Sequence, residues 1–404
     1  MMKVTSWQGR SLPCVAALLF SFSSVGCGTA DTDTGDTGTT TDTSTTGTDT
    51  SSTTSGTNTD DPNLPTDLAE GWNEIKPGGD TICSRGTEYA YWVRPGTVNK
   101  VIIDFIGGGA CWNAGTCGFA DQIFSDTVDD VRDAVEANDP HGIYDHEKAE
   151  NPFKDWYHVV VPYCTGDIHW GDSVTTYSPG TANEITINHK GAVNSRAVLS
   201  WVYENFSKPE QILVTGCSAG SYGAALWSAD VMGHYADSQV FQFGDSGAGI
   251  ITEEFFKESF PSWKVDQAFP KGIPELDPTK VDIQALALPD LYAGIANHYP
   301  KSWMSQYNTV RDENQTFYFT AMGGSGVDEW SQLMLASIDE IEERAPTFDS
   351  FIAPGEQHCI LLFDNFYTVN ANGVKLSDWL GDKINGKAVQ SARCEGVECD
   401  ADTP

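Results

Sequence analysis

Short apolar runs rich in β-branched and aromatic residues recur along the second and later hundreds of the chain. They lie at residues 101–106, 158–161, 211–215, 240–243, 316–320 and 348–352. Their apolarity is nearly continuous rather than alternating, as strands buried on both faces require, so the pattern predicts a mostly parallel sheet covered by helices. Between the second and third runs, Val193, Ala197, Val198, Trp201 and Val202 recur at helical spacing. Strand, helix and strand in that order make a βαβ unit, and the expected fold class is α/β. Residues 255–305, rich in Pro, Lys and aromatics, break the rhythm and read as a cap inserted over the sheet. No internal repeat is present.

The first 70 residues follow neither pattern. Lys3 and Arg10 precede an apolar stretch, residues 12–25, that is too short and too Ser-rich to span a bilayer comfortably. A charged start, a short apolar centre and then small residues describe a secretory signal. The stretch ends in Ser-Val-Gly-Cys27, which resembles the lipobox of bacterial lipoproteins, although Ser24 stands where that motif usually has Leu. The resemblance implies lipidation of Cys27 after removal of the signal, residues 1–27. Residues 28–70 carry nine acidic side chains and no Lys or Arg among Thr, Ser, Gly, Asn and Pro. Such a segment cannot bury enough apolar surface to offset its ordering entropy, and it is expected to be a disordered tether with a span of about 35 Å. Residues 71–404 are then one folded domain. The expected location is the cell envelope of a bacterium, or otherwise the secreted fraction, with membrane contact only through the lipid.

Charge narrows the partners. The chain holds 57 acidic against 23 basic side chains, a net of −34, and residues 71–404 alone keep −27. Phosphate backbones need Lys and Arg, so nucleic acid is excluded as a partner, and strongly anionic polymers are disfavoured. Ten cysteines include Cys14 in the signal and Cys27 at its end, leaving eight in the domain. An even number in an exported chain reads as disulfides, and no Cys-x-x-Cys with a matching His spacing points to a metal.

The predicted strand at 211–215 runs into Gly216-Cys217-Ser218-Ala219-Gly220. Small residues flanking a serine at a strand-to-helix turn allow the strained geometry that lifts a nucleophilic hydroxyl out of a sheet. Such a nucleophile needs donors for a developing oxyanion. Gly107-Gly108-Gly109-Ala110 directly follows the strand at 101–106 and frees backbone N–H groups for that purpose. No Gly-Lys-Ser/Thr follows, which weakens a phosphate-cradling reading. The base is expected on a late loop, and His358 is the one histidine placed after a final strand and a Pro-Gly turn. In chain order the acid falls between Ser218 and His358. Asp245 and Asp328 both follow predicted strands, and Asp328 is preferred because it follows the penultimate one. The Gly244-Asp245-Ser246-Gly247 run resembles a trypsin-type serine motif, but βαβ alternation argues against the barrels that motif needs. The other seven histidines, His169 included, show no metal-ligand spacing and read as structural or surface residues.

Taken together these segments resemble the pectin acetylesterase and Notum family of serine carboxylesterases. The resemblance rests on seven stretches in order: Thr-Ile-Cys83, Gly-Gly-Gly-Ala-Cys111-Trp, Pro-Tyr-Cys164-Thr-Gly-Asp-Ile-His-Trp-Gly-Asp, Gly-Cys217-Ser218-Ala-Gly, Gly-Asp245-Ser-Gly, Val-Asp328-Glu-Trp and His358-Cys359. It implies an α/β-hydrolase-like fold, a triad of Ser218, Asp328 and His358, and an oxyanion hole from the N–H groups of Gly108, Gly109 and Ala219. Where Notum carries a bulky aromatic in the glycine loop this chain has Gly109, which puts the pocket wall in question.

The same resemblance implies disulfides Cys83 to Cys164 and Cys111 to Cys117, leaving Cys394 with Cys399 and Cys217 with Cys359. Cys-Ser together with His-Cys resembles tannases and fungal feruloyl esterases, in which a bridge ties the nucleophile turn to the histidine loop. A Cys217 to Cys359 bridge is expected here, the alternative being two buried thiols. The reaction implied is ester hydrolysis without cofactor or metal by a monomer, on an acylated glycan or a small ester. O-acetyl groups on neutral polysaccharides are the first expectation, and longer acyl esters or a non-catalytic glycan-binding lipoprotein are the alternatives.

Overall fold

In the computed structural model, residues 63–396 are described except for 120–121, 179 and 181–183, together with Cys399. The expected signal, Cys27 and most of the expected tether lie outside the described residues. Among the described residues no helix is long and apolar enough to cross a membrane.

The strands in chain order are β1 (Asn73–Ile75), β2 (Tyr91–Arg94), β3 (Lys100–Phe105), β4 (Tyr157–Val161), β5 (Ser173–Tyr177), β6 (Ile185–His189), β7 (Gln211–Cys217), β8 (Gln239–Asp245), β9 (Trp303–Thr309), β10 (Phe348–Ala353), β11 (Asn370–Ala371), β12 (Val374–Lys375) and β13 (Ala392–Arg393). The main sheet runs β1-β2-β4-β3-β7-β8-β9-β10-β13. It is antiparallel across β1, β2 and β4 and parallel from β4 to β13. β5 and β6 form a separate antiparallel hairpin. The helices are α1 (Ala114–Cys117), α2 (Asp129–Ala137), α3 (Gly191–Asn205), α4 (Ala219–His234), α5 (Glu253–Trp263), α6 (Leu288–His298), α7 (Glu313–Ala321), α8 (Val327–Arg344) and α9 (Leu376–Ile384).

Side-chain alternation on the parallel strands makes two cores. Val101, Ile103 and Phe105 of β3 pack with Val198, Leu226, Tyr292 and Ile338 of α3, α4, α6 and α8. Ile102 of β3 and Leu213 of β7 point the other way, into a core closed by Trp379 and Leu380 of α9. Burial on both faces explains why these strands read as continuous apolar runs. In α3 the buried face is centred on Ala192, Ser195, Val198, Leu199 and Val202, with Val193, Ala197 and Trp201 at its edges.

Five of the six expected strands are present, as β3, β4, β7, β8 and β10. The sixth expectation is overturned, because residues 316–320 lie inside α7. The true neighbour of β10 is β9, the segment Trp-Met-Ser-Gln-Tyr-Asn-Thr, whose start fell within the expected insertion. Every residue of β9 is buried although four of the seven are polar. Several of its polar groups find partners in the sheet or in α7: Ser305 Oγ donates to Gln242 O at 2.9 Å, and Asn308 bonds Gln306 at 3.1 Å and Gln315 at 3.0 Å. A strand whose polar side chains are satisfied by neighbours carries no hydrophobic signature.

Candidate active site

β7 delivers Ser218 to a turn with φ 57° and ψ −122°, and α4 begins at the next residue. The turn closes only because its flanks lack side chains. A Cβ on Gly220 would stand 1.8 Å from Phe105 O of the neighbouring strand, and no relaxation of a side chain could relieve that contact. Ser218 N donates to Asp245 O at 2.8 Å, so the turn is registered against the end of β8. Ala219, the first residue of α4, turns one of the helix's unsatisfied N–H groups toward the same end of the sheet.

β3 delivers the glycine loop beside this turn. Gly109 has φ 74°, and a Cβ there would lie 2.0 Å from Ile123 O and 2.3 Å from the Tyr318 hydroxyl. This accounts for the absence of an aromatic at that position: the wall is made by the 123 backbone and by Tyr318, which donates to Ile123 O. Ser125 N donates to Gly108 O at 2.9 Å and Cys111 N to Gly166 O at 2.9 Å, fixing the loop on its far side.

His358 follows β10 on a loop bridged to the nucleophile turn by Cys217–Cys359, with Cα atoms 5.6 Å apart. The other bridges are Cys83–Cys164, Cys111–Cys117 and Cys394–Cys399. All four expected pairings are thus present, and the reading of two buried thiols is set aside. The sulfurs of Cys217 and Cys359 lie close to His358, as those of Cys111 and Cys117 lie close to His189. All four are committed to disulfides, so neither cluster offers the thiolates a metal would need.

The acid beside His358 is Asp312, not Asp328. His358 Nδ1 bonds Asp312 Oδ1 at 3.0 Å and Oδ2 at 2.9 Å, and the Asp312 side chain is fully buried. Asp328 sits in the first turn of α8 with its side chain 82% exposed, 3.3 Å from Arg311 Nη1. The correction follows from the strand exchange described above. The acid does come after the strand next to β10, but that strand is β9, and Asp312 is three residues beyond its end. Asp312 also caps α7, accepting from Asn314 N at 3.0 Å and Gln315 N at 2.8 Å, while Gln315 Nε2 bonds its other oxygen at 2.9 Å. Asp312-x-x-Gln315 is a helix-start signature in the sequence, and it would have marked residues 313–321 as helix.

Asp245, the other expected acid, reaches the same loop differently. Its Oδ2 accepts from Ile360 N at 2.8 Å and Leu361 N at 3.0 Å. Ser246 Oγ donates to Asp245 Oδ1 at 3.0 Å and accepts from Cys359 N at 2.9 Å. Burial pushes the Asp245 carboxyl up to about 6, against the lowering effect of those N–H bonds. The Gly-Asp-Ser-Gly run therefore anchors the histidine loop by its backbone.

Ser218, Ala219, Gly109, Ser246 and His358 open onto one pocket enclosing about 600 Å³ including its mouth. Its remaining walls are mostly apolar, from Trp112, Ile168, Ile251, Phe255, Met322 and Trp330. Gly108 is set back from the lining. His358 Nε2 is buried and has no hydrogen-bond partner. With Nδ1–H donated to a carboxylate, the imidazole presents a free lone pair at Nε2.

The pectinacetylesterase family model matches residues 74–270. Those residues are similar to the pectinacetylesterase family. The match bears out the resemblance read from the sequence, and with it a carboxylic ester hydrolase. The matched residues include the glycine loop, Ser218 and Asp245 but end before Asp312 and His358. Two solved structures of the Wnt deacylase Notum from Drosophila share the fold. One is 17% identical with a TM-score of 0.60 and covers 82% of this chain and 100% of that one. The other is 15% identical with a TM-score of 0.57, covering 82% and 99%. The parallel sheet flanked by helices is accordingly α/β-hydrolase-like, and a disulfide-rich fold of this kind is consistent with an extracellular protein.

Proposed function

We propose that this protein hydrolyses O-acyl esters through Ser218, His358 and Asp312. The observation that carries the reading is the unpartnered, buried Nε2 of His358, facing the pocket that Ser218 also lines while Nδ1 is held by buried Asp312. His358 takes the Ser218 proton as the hydroxyl attacks the acyl carbon, and Asp312 holds the imidazole tautomer and stabilises its cation. The N–H groups of Gly108, Gly109 and Ala219 receive the oxyanion, each worth about 3 kcal/mol to the transition state. The protonated imidazole returns its proton to the leaving alcohol, and water activated by His358 then releases the acyl group.

Neutral glycans bearing O-acetyl groups remain the first substrate class, since a net charge of −34 opposes anionic polymers. The apolar walls favour a second reading, acyl chains of several carbons, because acetyl would leave Ile251, Phe255 and Met322 without a partner. The protein acts as an exported monomer, anchored through Cys27. A fluorophosphonate probe tests the reaction: wild type should label and Ser218→Ala should not, and equal labelling of both would defeat the triad. A p-nitrophenyl series from acetate to palmitate, run beside acetylated xylan and pectin, separates the two substrate readings by where kcat/KM peaks.

A further inference from the structure

The glycine loop is gripped by one segment, residues 163–170, that the triad does not use. At the far end Gly166 O accepts from Cys111 N at 2.9 Å. In the middle the Tyr163 ring lies so close to Gly108 that a Cβ there would be 2.7 Å from Cδ1. At the near end His169 Nε2 is 2.9 Å from Ile106 O, the carbonyl from which Gly107, Gly108 and Gly109 depart. We propose that His169 is a positioning residue for ester hydrolysis: its imidazole fixes the Ile106–Gly107 peptide plane and so aims the oxyanion-stabilising N–H groups at the Ser218 adduct.

This rests on the esterase reading above, and four observations support it. First, a carbonyl only accepts, so His169 must donate from Nε2, which sets its tautomer. Burial holds the ring neutral, with its pKa pulled down to about 4. Second, the ring has nowhere to turn: Phe105 and Tyr163 pack against it at centroid distances of 5.1 and 4.9 Å, and a Cβ on Gly223 of α4 would lie 2.8 Å from Cδ2. Third, the backbone carrying it is strained, since Ile168 and His169 are adjacent non-glycine residues at φ 52° and 66°. Three bonds hold that conformation: Ile168 N to Tyr163 Oη at 2.8 Å, His169 N to Asp167 Oδ1 at 3.2 Å, and Trp227 Nε1 to His169 O at 3.0 Å. Fourth, the loop has no slack on its other side. A Cβ on Gly107 would meet Cys217 O at 2.6 Å and Ser218 Cβ at 2.9 Å, so any rotation at Ile106 is passed to the distance between the loop and the nucleophile.

The test compares His169→Phe, which keeps a ring without the donor, with His169→Gln, which restores an N–H. Rates on a p-nitrophenyl ester are normalised to sites titrated by fluorophosphonate, and thermal midpoints are recorded alongside. The Phe variant should lose about 10- to 100-fold in kcat per titrated site with KM within about threefold, less than the loss on deleting an oxyanion donor outright. The Gln variant should recover most of that loss. Gly223→Ala, which pushes on the imidazole from α4, should lower kcat in the same way and decides the matter if the Phe variant does not fold. Wild-type kcat per site in the variants, equal impairment of Phe and Gln, or a loss confined to site number and thermal midpoint would each overturn the role. Failure of the wild type to label at Ser218 or hydrolyse any ester would instead remove the esterase reading, and this role with it.

Discussion

The ends of β8 and β9 each place a buried aspartate against the histidine loop, and the two do different work. Asp312 at the β9 end binds the ring of His358. Asp245 at the β8 end binds the backbone of Ile360 and Leu361 and, through Ser246, that of Cys359. One carboxylate holds the ring of an imidazole, and the other controls where the loop carrying it runs. A carboxylate near a histidine is therefore insufficient to name the acid of a triad: the atom it touches decides.

That distinction can be broken most sharply at Asp312. Asp312→Asn keeps the shape but removes the charge that sets the tautomer, and kcat should fall about 10³- to 10⁴-fold, read from p-nitrophenyl ester turnover. Removing the covalent hold on the loop comes next. Cys217→Ala with Cys359→Ala should cost about 2–5 kcal/mol in guanidinium unfolding and lower kcat, because the loop joining them is long. If the bridge and Asp245 restrain the same motion, their effects in a double-mutant cycle should not add.

Asp245→Asn should reduce kcat about 10- to 100-fold and destabilise by about 1–3 kcal/mol, since an amide cannot accept from all the donors the carboxylate serves. It should also change the pH dependence of stability. The Asp245 carboxyl titrates at about 6 in the fold against an ordinary 3.8, so between those values the folded chain keeps a proton that the unfolded chain has released. Stability from this residue is present below that window and falls as pH rises through it. Asp167, pushed up to about 6 by burial, contributes with the same sign. Denaturation midpoints taken across the window should fall less steeply in Asp245→Asn than in wild type. The smallest effect belongs to Asp328→Asn. Its exposed pair with Arg311 is worth less than about 1 kcal/mol, and kcat should stay within about twofold of wild type.

The nucleophile turn, the glycine loop, the histidine loop and the Cys217–Cys359 bridge were legible because their chemistry is written in small residues and cysteines at fixed offsets. Asp312 was hidden by β9. Ser305 and Asn308 are buried in the sheet and bond Gln242, Gln306 and Gln315, an arrangement visible only in three dimensions. Conversely, residues 316–320 have the apolar and β-branched content of a strand, yet Asp312 starts a helix there by accepting its first N–H groups. Asp312 does follow the strand beside β10, and it was that strand that was misidentified. His169 was passed over because nothing in its spacing betrays a partner 63 residues earlier.

Asp245 has a second hand. Its backbone carbonyl accepts from Ser218 N while its side chain accepts from the loop that follows His358. The turn that carries Ser218 and the loop that carries His358 are thus surveyed from one benchmark, so a displacement of the end of β8 would carry both along. The separation between Ser218 and His358, on which the proposed proton transfer depends, would be spared that displacement.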